Sequence, residues 1–88
     1  MSAREEAIVV QATIVLDLID ELTFLRMAQP DPDEEPDGWL DWDESHTAAV
    51  ADKERERMRL EQLAHMVVPS HPATARPLVK DLIEGAAR

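Results

Sequence analysis

The sequence predicts an all-α protein: a helical hairpin of two long helices joined by an acidic, proline-rich arm, with a short third helix at the C-terminal end. Three observations carry that expectation. Apolar residues between Ala7 and Ala28 recur at helical steps of three and four. Prolines gather at 30–36 and again from Pro69 onward, where helices are expected to stop. With two Trp, one Phe and no Tyr, the apolar complement is mainly Leu, Ile, Val, Met and Ala, which suits helix-on-helix packing.

The first helix is expected over about residues 3–28. Ile8, Ala12, Val15, Ile19, Leu22 and Leu25 form its stripe, and Val9, Leu16 and Leu18 widen it. Adjacent apolar pairs such as Val15-Leu16 break the alternation that a strand requires, and the run is longer than ordinary strands. Ser2 and Glu5 have the spacing of a capping box, and Pro30 ends the helix. Thr13, Asp17, Asp20 and Glu21 mark the polar side, with Gln11 at its edge. A stripe this wide needs cover on more than one side. The sequence therefore predicts an oligomer interface at Ile8, Val15, Ile19, Leu22 and Leu25, filled by a second copy or a partner.

The arm, about residues 29–44, is expected to be extended, partly polyproline-like and solvated. Its Asp31–Glu44 part holds eight acids and no base. Trp39, Leu40 and Trp42 close it, flanked by Asp37, Asp41, Asp43 and Glu44. Two readings of this cluster compete. In one, the tryptophans fold back as a lid on the first helix. In the other, they anchor a partner while the acids steer it.

The second helix is expected over about 45–67, with an alternative start near Asp37 that takes in the tryptophans. Its middle, Asp52–Arg59, alternates charge and reads as a solvated face. The minority reading is that its bases attract the acidic arm. The third helix is expected over about 75–84, capped by Thr74, with Pro77 in its first turn and Gly85 as its stop.

Charge bounds the function. The net charge is -10 and is unevenly distributed. Residues 1–44 carry thirteen acids against Arg4 and Arg26, whereas residues 45–88 carry six acids against seven bases. Direct binding to nucleic acid or to an anionic membrane is disfavoured, because both require a basic face. The start of the chain lacks a positive region before an apolar run, so a soluble, cytoplasmic protein is expected. With 88 residues the chain is one small domain that buries about 60–65% of its unfolded surface. It has no cysteine for a disulfide or a thiolate metal site.

Chemistry is thinly represented. Glu61 and His65 are four apart, which fails the Glu-x-x-His spacing of di-iron bundles. Asp17, Asp20 and Glu21, with Asp52 or Glu56, only partly echo the magnesium-binding acids of all-α nucleotide pyrophosphohydrolases. No glycine-rich phosphate loop or nucleophile elbow is present. The expected function is non-catalytic, with no cofactor and no metal: an adaptor, inhibitor or assembly subunit that binds a basic protein surface. The alternatives are an acidic nucleic-acid mimic, a structural subunit of a larger assembly and, last, a pyrophosphohydrolase-like enzyme.

Overall fold

The computed structural model describes residues 2–87, which form three helices: α1 (Ala3–Met27), α2 (Pro36–Ala64) and α3 (Pro72–Ala87). The all-α hairpin with a shorter third helix is as expected. α1 is the central element, and both α2 and α3 pack on it. α2 runs antiparallel to α1, because Trp42 meets Leu25 at one end and Arg4 reaches the Leu63 carbonyl at the other. The molecule is elongated, 51 × 18 × 18 Å.

α1 starts with the expected capping box, in which Ser2 Oγ accepts the Glu5 N–H and Glu5 accepts the Ser2 N–H. Its stripe is buried by the chain itself. Ala12, Val15, Ile19 and Leu22 are all inaccessible, and most of the core is completed by Leu60 of α2, Ala75 and Val79 of α3, and Val68 between those helices. Val15, Ile19 and Leu22, expected at an interface with a second copy or a partner, are thus buried within one chain. Ile8 packs against the same core, and Leu25 is half-buried. The stripe did need two-sided cover, and α2 and α3 supply it. Gln11, placed at the edge by the sequence, is buried, with Nε2 donating to the Glu56 carbonyl at 2.9 Å and to its carboxylate at 2.7 Å.

The arm is shorter and more ordered than expected. Asp31 Oδ1 accepts the Asp33 N–H and the Asp31 carbonyl accepts the Glu35 N–H, both at 2.8 Å. These bonds close a tight turn in place of an extended segment. Pro36 does not oppose the helix, because it stands at the first helical position, where an N–H has no partner to lose. α2 therefore begins at Pro36, near the alternative start and well before residue 45.

α2 ends earlier than expected, at Ala64, by a left-handed residue, His65 (φ 55°). Residues 66–71 then run back along α2 as an irregular strap. Their side chains alternate in the manner of extended backbone. Met66 packs on the core, Val67 is 78% exposed and Val68 is buried.

The charged run of α2 holds this strap. Lys53, only 6% exposed, donates from Nζ to the Ser70 carbonyl at 2.8 Å and pairs with Glu54 at 3.2 Å. Arg57 donates to the Val68 carbonyl and pairs with Glu54 at 2.9 Å and Glu61 at 3.1 Å. Ser70 Oγ donates to Glu54. The expectation of a wholly solvated face is corrected. One side of the run donates to the strap carbonyls of Val68 and Ser70. Arg55 and Arg59 remain on the exposed side.

α3 also begins earlier than expected. Pro72 is its first residue and His71 caps it, with Nδ1 accepting the Ala73 N–H at 3.2 Å and its carbonyl accepting the Ala75 N–H at 2.9 Å. Thr74 lies inside the first turn and donates to His71. Pro77 is in the helix interior, and Gly85 keeps a negative φ, so the helix continues to Ala87.

The carboxylates of the run set an acid limit. Partial burial opposes ionisation of Glu54, but hydrogen bonds from Ser70, Arg57 and Lys53 outweigh it and hold the group below its ordinary 4.5. Glu56 is also held below 4.5, chiefly by the Gln11 amide against an opposing desolvation, with help from Arg59 and Arg55. Depressed carboxylates stabilise the fold above their unfolded value, and that contribution is lost as pH falls through the folded value. Urea melts should therefore weaken below pH 4.5, and the Glu54→Gln variant should show a flatter acid limb. Lys53→Met should cost about 1–3 kcal/mol, and hydrogen exchange should report loss of protection in α3 before α1. His65→Gly should gain up to about 1 kcal/mol, because glycine lacks the left-handed penalty.

Candidate functional site

The predicted recognition residues gather at one end of the molecule, where α1 hands over to α2. α1 ends with the Ala28 N–H shared among the carbonyls of Phe24, Leu25 and Arg26. The Leu25 carbonyl also accepts Trp42 Nε1 at 2.7 Å. Trp42 is therefore tied to the end of α1, half-buried, by the one polar atom of its ring system. His46, one turn on, stacks on Trp42 with centroids 4.7 Å apart and planes 16° from parallel. Its Nε2 is buried and has no partner among the described residues. Trp39 is half-buried on the same side of α2. For Trp42 the lid reading is the observed one.

Leu40 points the other way and is 61% exposed. Asp37, Asp41 and Glu44 are exposed and follow one another at steps of four and three, so they share a stripe of α2. Asp43 is half-buried. Asp31, Asp33, Glu34 and Glu35 add the exposed acids of the turn. Among the described residues, none of these eight acids forms an ion pair with Lys, Arg or His. Asp37, in the first turn, also faces the favourable end of the α2 dipole.

Two residues of this end were not singled out in the sequence. Phe24 is 69% exposed and Met27 is 84% exposed, although both belong to the apolar run. The signal was available: at about 100° per residue, Phe24 lies roughly 200° around the helix from Leu22, on the far side from the core. With Leu40 they put three large apolar side chains in water at the acidic end.

The other candidate chemistry is dispersed. Asp20 pairs with Arg76 at 2.9 Å, and Glu56 is engaged by Gln11, Arg55 and Arg59. Glu61 is held by Arg57, and His65 caps α2. Among the described residues, no group of three or more His, Asp or Glu is positioned to hold a metal ion, and no helix is long and apolar enough to cross a membrane.

The chain matches no protein-family model, no curated protein and no solved structure.

Trp42→Phe keeps the ring packing and removes the donor to the Leu25 carbonyl. It should cost about 1 kcal/mol in a urea melt, whereas Leu40→Ala should change stability by less than about 0.5 kcal/mol.

Proposed function

We propose that this chain is a non-catalytic interaction module whose acidic end binds a basic surface of a partner protein. The observation that supports this best is the set of eight acids at residues 31–44 with no ion-pair partner among the described residues. Such a field attracts and orients a basic surface before contact. Leu40, Phe24 and Met27 offer apolar contact at the same end, where a partner can exclude water. Trp42 and Trp39 serve from inside, by fixing the helix that carries Asp37, Asp41 and Glu44.

A second reading, nucleic-acid mimicry, gains from the same geometry. Four of the eight acids, Asp37, Asp41, Asp43 and Glu44, ride on a rigid helix and not on a mobile arm. A mimic needs its carboxylates held in place, as phosphates are held on a duplex.

The test is affinity capture with the parent chain and with an Asp37→Asn, Asp41→Asn, Glu44→Gln variant that keeps the helical spectrum. The expected result is a basic partner whose binding falls at least tenfold in the variant and weakens steeply with salt. Loss of that partner to competing DNA assigns mimicry. Equal capture by parent and variant contradicts both readings.

A further inference from the structure

On the flank of α1 that receives α3, the two helices enclose an open cleft of about 210 Å³. Its walls bring Arg26, Arg76 and His71 together over an apolar floor that includes Ile19 and Pro72. Two of the nine bases of a chain with nineteen acids, Arg26 and Arg76, thus line one cleft. We propose that the cleft binds a small oxyanion, the chemistry shared by a phosphate and a carboxylate.

The donors are specific. Arg26 has no ion-pair partner among the described residues, so its planar fork is free to meet two oxygens at once. Arg76 pairs with Asp20 through Nη2 at 2.9 Å, and its guanidinium carries further N–H groups. His71 accepts the Ala73 N–H at Nδ1, so a neutral ring carries its proton on Nε2 and donates from there. The first amides of α3 do not carry the site: the N–H groups of Ala73 and Thr74 are already bonded to His71. Thr23 lines the cleft too, but its hydroxyl donates to the Ile19 carbonyl at 3.0 Å and offers only acceptor capacity.

Size and floor narrow the ligand. The volume is below the roughly 300–1,000 Å³ of pockets for larger ligands, so a single anionic group with a short apolar body fits. Asp20 is the built-in competitor. An arriving oxyanion shares Arg76 with it, which keeps the affinity modest.

The experiment is a titration of the full chain with inorganic phosphate and, separately, with acetate, followed by amide and arginine side-chain NMR shifts. Sodium chloride at matched ionic strength is the control. The expected result is saturable movement confined to Thr23, Arg26, Ala73 and Arg76 with at least one of the two anions, and none with chloride. Arg26→Gln, at a position whose side chain is exposed and has no ion-pair partner among the described residues, should weaken binding about tenfold without altering the helical spectrum. Asp20→Asn should tighten it severalfold. Shifts that stay linear, that chloride reproduces, or that survive unchanged in Arg26→Gln overturn the proposal. Phosphate-only saturation assigns a phosphorylated ligand, and acetate-only saturation assigns a carboxylate.

Discussion

The ammonium group of Lys53 lies almost out of reach of solvent, and the position of α3 depends on it. Taking a charge out of water is costly unless the charge is paired and hydrogen-bonded. Here Glu54 supplies the opposite charge and the Ser70 carbonyl supplies a hydrogen bond, with Arg57 beside them on the Val68 carbonyl. Together they fasten an irregular strap whose backbone makes no helix or sheet. The strap delivers Val68 to the core and carries the chain back along α1, so that α3 can start beside Ile19 and Thr23.

That return completes the cover of the central stripe of α1, while Val10, Phe24 and Met27 of the same helix stay exposed. A helix with an apolar stripe this wide is not covered by a single antiparallel neighbour. α2 takes one flank, with Ala49 and Leu60, and α3 takes the other, with Ala75 and Val79. Val15, Ile19 and Leu22 are thereby buried without a second chain. The acids collect where α1 turns into α2, while Arg26 and Arg76 collect where α3 begins against α1. Arg76 pairs with Asp20, outside the acidic turn, and no ion pair among the described residues neutralises the acids at 31–44.

The legible features were those set by local rules. The stripe of α1, the Ser2–Glu5 capping box and the all-α class follow from spacing and residue type, and each is present. The boundaries of α2 and α3 were missed for particular reasons. Pro36 and Pro72 look like helix breakers but stand at first helical positions. His65 ends α2 in a left-handed conformation that sequence would assign to glycine, whereas Gly85 does not end α3. The arm looked extended because the Asp31 carboxylate bond to the Asp33 amide is a geometric event with no periodic signature. The charged run looked solvated because nothing in its spacing announces that an ordinary stretch, Met66–Ser70, will lie against it. At the candidate site the grouping of Trp39, Leu40 and Trp42 was legible. Which of them faces inward was not, since that depends on where α1 ends.

The central claim is that the strap lets one chain cover its own apolar helix. The most direct measurement is thermal unfolding followed by circular dichroism over a hundredfold range of protein concentration, with mass determined by light scattering at each end. A self-covered fold predicts a 9.9 kDa particle and a melting temperature independent of concentration. A melting temperature that rises with concentration, with a mass of two or more chains, would contradict that claim and would mean that α1 is completed between copies.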